Sequence, residues 1–286
     1  MSLFTKLSKV CLIIDYFYQL IFKEGLKCYI PKNQCKNNKL LVLVNGPSLN
    51  QSITQIIKTK QYKRDAIISV NFLVNDDRFY LLKPKYHVIS DPMFYVTDAQ
   101  KGRVDEFFKH LNTKVDWDMY LFMPIIYARM ENKLKKITNK HIKIIPIHQL
   151  YPQVSQSLMR FIAKKGILGP DFGSVMHHAI YIGMVMGFKT EELYGADHTF
   201  FEGLTVNENN QVCRCTNHFY ETETEVKPLY HCFTPKGNIP YTMSFFLWEH
   251  ERIFKGHQDL QMIADYLHVQ IINKTKGSMI DSYKRN

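Results

Sequence analysis

Four residues after an aliphatic run are the first place where this chain has the makings of chemistry: Asn45-Gly46-Pro47-Ser48, directly behind Leu40-Leu-Val-Leu-Val44. Gly46 can take backbone angles closed to other residues, Pro47 is pre-set for a first helical position, and the unpaired N–H groups of the next turn point outward. Such a turn favours an anion, and the Asn45 amide is available to a ribose, base or phosphate oxygen. An ordinary strand-to-helix connection uses the same residues. Other apolar runs also stop at polar residues: Asn71 follows Ala66-Ile-Ile-Ser-Val70, Asp91 follows Tyr86-His-Val-Ile-Ser90, and Gly195-Ala-Asp197-His198-Thr199 follows Glu191-Glu-Leu-Tyr194. Asn and Asp cap turns by themselves, so turn chemistry alone accounts for them equally. Asp116-Trp-Asp118 sets two carboxylates one residue apart, which on a strand face the same way and can chelate a divalent cation. His177 and His178 lie in a helical stretch and read as surface or core-edge residues rather than ligands.

Bringing these residues together requires an open sheet. The runs at 40–44, 66–70, 86–90, 119–123, 141–147, 191–194 and 269–272 read as strands, with helices predicted over 52–60, 98–112, 175–186 and 260–267. Alternating strands and helices predict an α/β fold, Rossmann-like, with a mostly parallel sheet flanked by helices and a crevice at the strand ends. Residues 200–256 show no clear period and read as a lid-like insert.

Residues 1–37 differ from the body at 38–286. Leu3, Leu7, Val10, Ile14, Phe17 and Ile21 recur at steps of three and four, which predicts an amphipathic helix, while Asp15 and Gln19 interrupt any run long enough to span a bilayer. Seven lysines face two carboxylates in residues 1–39, a net charge of +5. That pattern fits docking on an anionic membrane surface, and equally a helix packed on its own domain or on a second copy in a homo-oligomer. The whole chain of 286 residues carries +11, spread widely, and is 45% hydrophobic. An acidic partner is indicated; no nucleic-acid signature accompanies the charge. Its six cysteines are sparse and read as reduced thiols, and Cys213-Arg-Cys215 lacks a second ligand pair for a metal.

Taken in order, the pieces resemble the metal-independent bacterial sialyltransferases of glycosyltransferase family 42 and the related MptE-like (DUF115) domains, which also occur in motility-associated flagellin glycosyltransferases. The resemblance spans roughly residues 40–282 and rests on Asn45-Gly-Pro-Ser-Leu49, Asn71, Asp91-Pro92, Gly173-Ser174-Val175 through Gly187-Phe-Lys189, Gly195-Ala-Asp-His-Thr199, Asn217-His-Phe219, Gly256-His257 and Lys276-Gly-Ser278-Met-Ile-Asp281. It implies transfer of a sialic acid or related nonulosonic acid from a CMP-activated donor to a hydroxyl of a glycan or glycolipid, with inversion and no metal or other cofactor. With the basic amphipathic helix and the reduced thiols, a cytoplasmic enzyme peripheral to the inner face of the membrane is expected. By position, Asn45, Gly46, Pro47, Ser48, Asn71, Asp91, Gly173, Ser174, Asp197, Thr199 and Ser278 would line the nucleotide, and His257 would be the general base, a role that suits an imidazole. Two departures stand out. His198-Thr199-Phe200 occupies the place where the sialyltransferases carry a tyrosine for the leaving phosphate, and Asp91 stands where they have asparagine. His198 and His218 thereby become rival candidates for base or phosphate contact. The alternatives are a metal-dependent nucleoside-diphosphate-sugar transferase using Asp116 and Asp118, a pterin diphosphokinase, and a non-catalytic membrane-docked scaffold.

Overall fold

In a computed structural model of the protein, described for residues 3–33, 39–98, 100–151, 154–170, 173–215, 226–231 and 239–285, the sequence runs become an eight-stranded sheet in which every pairing is parallel. Chain order is α1 (Leu3–Gln19), β1 (Lys39–Leu43), α2 (Leu49–Lys58), β2 (Ala66–Val70), α3 (Asp77–Leu82), β3 (Tyr86–Val88), α4 (Lys101–Lys114), β4 (Met119–Pro124), α5 (Ile125–Leu134) and β5 (Ile142–Ile147). It continues through α6 (Gln156–Lys165), α7 (Val175–Met186), β6 (Thr190–Tyr194), β7 (Thr205–Val206), β8 (Val212–Cys215), β9 (Val226–Pro228), α8 (Met243–Leu267), β10 (Gln270–Asn273) and β11 (Lys284–Arg285).

Strand order β11-β10-β6-β1-β2-β3-β4-β5 shows how the sheet is wound. The chain marches from β1 to β5 in one direction, then returns through α6 and α7 to lay β6 against the free side of β1. Strand progression therefore reverses between β1 and β6, and crevices outside the carboxyl ends of the strands form at such a point. β1 is aliphatic along its whole length because both faces are covered. Leu40, Val42 and Val44 join a core layer with α6, α7 and α8, while Leu41 and Leu43 join a second layer with α2, α3, α4 and α5. The fold is α/β and Rossmann-like.

The amino-terminal helix differs from its sequence reading. It ends in a π turn at Leu20–Glu24 and packs through Tyr16 and Leu20, with Ile13 and Phe17 half-buried beside them. Val10, Ile14 and Ile21, three residues of the predicted apolar stripe, are exposed together with Tyr18 and Phe22. The helix is apolar over more of its circumference than one contact covers. Among the described residues no helix is long and apolar enough to cross a membrane.

The 200–256 segment is likewise more regular than its sequence indicates. Its described part holds the small antiparallel sheet β7-β8-β9 and the first half of α8, a 25-residue helix. Trp248, His250 and His257 all belong to that one helix. Gly256 does not mark its beginning, because packing against α6 and α7 carries the helix across a residue that is unfavourable by about 1 kcal/mol.

Candidate active site

At the β1/β6 reversal the ladder runs on past the strands. The Val44 N–H donates to the Tyr194 carbonyl at 2.9 Å and the Gly46 N–H to the Gly195 carbonyl at 3.0 Å. Asp197 then turns its carboxylate onto the start of α2, accepting from the Ser48 N–H at 3.3 Å and the Ser48 hydroxyl at 2.9 Å. Leu49 and Asn50 donate back to the carbonyls of Gly46 and Pro47, and Pro47 has no N–H to offer. The N–H groups from Gly46 to Asn50 are thus all accounted for. The anion at this turn is the chain's own Asp197, not the phosphate the turn was expected to cradle. Burial raises the Asp197 pKa, and the two bonds from Ser48 act against that rise. Gly46 is required here for close approach: a methyl group would run into the Asp197 carboxylate and the Gly195 carbonyl.

What this end of the sheet leaves open is a pair of amides. Asn45 donates its Nδ2 to the Val70 carbonyl at 3.3 Å, so its Oδ1 stays free of that bond. Asn71 sits one residue further on with a left-handed φ of 43°. Among the described residues neither Asn45 Oδ1 nor Asn71 Oδ1, both buried, accepts a hydrogen bond. Buried acceptors without donors are rare in native folds, and these two stand at the carboxyl ends of adjacent strands. The Asn71 backbone is held by His87, whose Nε2–H donates to the Asn71 carbonyl at 3.0 Å while Ser69 Oγ donates to Nδ1 at 2.7 Å. Burial pushes the His87 pKa down to about 3, so the ring is neutral and this tautomer is fixed by its partners.

Where α7 and α8 meet the end of β6 lies a cluster of imidazoles. His257 on α8, His177 in the first turn of α7 and His198 after β6 stack with ring centroids 4.3 Å apart for His177–His257 and 4.9 Å for His198–His257. His177 and His257 are enclosed, contrary to the surface reading of His177 and its neighbour His178, also buried; His198, at φ 52°, is half-buried. Desolvation holds His257 and His177 well below the ordinary histidine value, with the neighbouring rings adding to the shift, and lowers His198 to about 3. All three are therefore neutral at physiological pH, the protonation state in which a ring takes up a proton. Phosphate negative charge brought beside them would raise their proton affinity. Tyr283, from the carboxyl terminus, places its hydroxyl 2.8 Å from His257 Nδ1. Sequence reasoning singles out neither His87 nor Tyr283, and it reads His177 as a surface or core-edge residue. The His-His pair just past Gly173-Ser174 was the one available signal, while nothing local marks Tyr283.

The remaining sequence candidates are placed as follows. Ser174 caps α7, accepting from the Met176 N–H, and Gly173 takes a left-handed φ of 89° against Ile253. Thr199 lies half-buried next to His198. Asp91 caps its own turn through the Met93 N–H, two strands away from β1. Ser278 is committed within the fold: its hydroxyl donates to the Ala196 carbonyl at 2.6 Å and accepts from Asn273 Nδ2 and the Ile280 N–H. It joins the ends of β6 and β10. His218 falls outside the described residues. Asp116 and Asp118 do not share a strand face. They precede β4, exposed, at the opposite end of the sheet from the crevice, and pair separately with Lys83 and His141. Among the described residues no group of three or more His, Cys, Asp or Glu converges on a metal position. A surface groove lined by Lys189, Gln261, His268 and Lys284 also opens away from these residues, where β6 and β10 begin.

No protein-family model matches the sequence, and no curated protein matches it. Among solved structures the chain is similar to the MAf glycosyltransferase of Magnetospirillum magneticum AMB-1, at 14% identity and a TM-score of 0.48, over 91% of this chain and 35% of that one. The chain thus spans about a third of that protein's length.

Proposed function

We propose that the crevice at the β1/β6 reversal binds a nucleotide-activated sugar and transfers the sugar to a hydroxyl of a cell-surface glycan or glycolipid. The observation that carries this reading is the pair of donorless amide oxygens, Asn45 Oδ1 and Asn71 Oδ1, at the point where such sheets take ligands, with the neutral imidazoles of His177, His198 and His257 gathered where α7 and α8 meet the end of β6. Two acceptors suit the hydroxyls of a ribose or the amino group of a base. Together with the motif resemblance they favour a CMP-activated sialic acid or related nonulosonic acid, transferred with inversion and without metal. In this scheme the acceptor oxygen attacks the anomeric carbon and its proton passes to His257. The glycosidic bond breaks with its electron pair going to the CMP phosphate, which the half-buried His198 meets.

Thermal shift decides between this donor and others. CMP alone should raise the melting temperature, UDP, GDP and ATP should not, and magnesium or manganese should add nothing. A response only to UDP or GDP with metal would transfer the reading to another donor, and silence toward all four would overturn it. Replacing Asn45 by Ala should weaken CMP binding about tenfold, the equivalent of one hydrogen bond of about 1.4 kcal/mol. His257→Ala should leave CMP binding intact and slow transfer at least about a hundredfold.

The same proposal places the enzyme on the inner face of the membrane. Its exposed stripe Val10, Ile14, Tyr18 and Phe22 recurs every four residues, and the lysines that follow it, Lys23, Lys27 and Lys32, are exposed as well. An apolar stripe with cationic neighbours matches an anionic lipid surface.

A further inference from the structure

A base that works through one imidazole nitrogen needs its other nitrogen fixed, and a carboxylate commonly does this. Among the described residues no carboxylate hydrogen-bonds to His257. Its Nδ1 faces the hydroxyl of Tyr283 at 2.8 Å, and its Nε2 is buried without a hydrogen-bond partner among those residues. The Tyr283 ring packs edge-on to the imidazole, with centroids 5.4 Å apart, and is itself buried in the core layer of α7 and α8. The tail that delivers it is pinned on both sides. Ser278 ties it to β6 and β10, and Arg285 donates to the carbonyls of Ser278 and Ile280 at 2.6 and 2.7 Å.

We infer that Tyr283 is the positioning residue of His257: the imidazole donates Nδ1–H to the Tyr283 oxygen, which fixes the ring's orientation and leaves the Nε2 lone pair free to take a proton. This rests on the reading of His257 as the base. The direction of the bond matters chemically, because a hydroxyl donating to Nδ1 would force the hydrogen onto Nε2 and turn the base into a donor. Burial and the nearby Glu191 keep the phenol protonated, so it orients the ring as a neutral partner and contributes no negative charge. A carboxylate in this place would raise the ring's basicity; a phenol leaves that rise to the incoming phosphate. The short carboxyl-terminal strand β11 thereby holds part of the active site in place from the sheet edge.

The test compares Tyr283→Phe and His257→Gln in the full chain. Tyr283→Phe keeps the ring and removes the oxygen. It should lower kcat roughly tenfold to a hundredfold, less than the roughly hundredfold to ten-thousandfold of losing the base itself, leave the donor KM unchanged and displace the acid limb of the pH–rate profile. Nitrogen chemical shifts of His257 in the unaltered protein give a readout independent of activity, and should show the Nδ1–H tautomer. An Nε2–H tautomer, or a Tyr283→Phe variant with parental kcat and pH profile, overturns the inference. If His257→Gln itself turns over like the parent, the base reading has failed and the inference falls with it. Parental turnover in Tyr283→Phe with an inactive His257→Gln removes Tyr283 alone.

Discussion

Gly46 and Glu191 are two residues whose roles follow from what surrounds them. A side chain at Gly46 has to displace the Gly195 backbone or the Asp197 carboxylate. Gly46→Ala should therefore cost roughly 1–3 kcal/mol, read as a lowered urea midpoint, and should loosen the crevice with it. Glu191 lies on β6 with both carboxylate oxygens buried and no hydrogen-bond partner among the described residues, and desolvation raises its pKa well above the ordinary 4.5. Below about that value it is protonated folded or unfolded and contributes nothing to pH dependence. As pH rises the unfolded chain releases the proton first, so the folded state loses about 1.4 kcal/mol per pH unit until Glu191 itself ionises. Glu191→Gln should accordingly be more stable than the parent at about pH 8 and close to it at about pH 4, by urea unfolding at both.

The first helix is an element with two apolar sides. Its inner side is fixed by Tyr16 and Leu20, and just beyond it Glu24 pairs with His148 at 3.0 Å and accepts from the Gln149 N–H. Removing the segment would strip Tyr16, Leu20 and Ile30 from the core, so point changes separate docking from folding. Ile14→Glu with Phe22→Glu, at positions 63% and 72% exposed, should leave the melting temperature within a few degrees and cut binding to anionic liposomes at least about tenfold. Leu20→Ala should destabilise by roughly 2–5 kcal/mol. Liposome binding unchanged by the two glutamates would assign the outer stripe to something other than lipid. Locally, the apolar residues of this helix were plain in the sequence. Which of them face inward was not, because much of the circumference is apolar and packing against the core layer of α6, α7 and α8 chooses the side.

At the level of the whole molecule, the buried neutral histidines His87, His177 and His257, with the half-buried His198, shape the response to acid. Each has a folded pKa below the ordinary 6.5. Their contribution is complete above that value and is lost as pH falls, because the unfolded chain takes up protons that the folded rings refuse, at about 1.4 kcal/mol per group and pH unit. The melting temperature should drop steeply between about pH 6.5 and pH 5, and a flat profile there would contradict the buried neutral cluster. Such a cluster is invisible locally: His177, His198 and His257 come from three elements, and their meeting depends on how α7 and α8 cross the sheet. By contrast the main-sheet strands other than β11 were legible, since a strand buried on both faces writes itself as an apolar run and a polar residue marks its end, whereas the short strands β7, β8, β9 and β11 carry no such run. Helices α3, α5 and α6 escaped, and α5 shows why, following β4 with no turn residue between Pro124 and Ile125. The sequence by itself therefore determined the α/β class and the Asn45 and Asn71 strand ends, because those signals sit within a few residues of one another. Only the tertiary structure decided that the anion at Ser48 is Asp197, 149 residues away, and that Tyr283 holds His257. Both contacts exist because the return of β6 and β10 to the open side of β1 brings distant segments to one place.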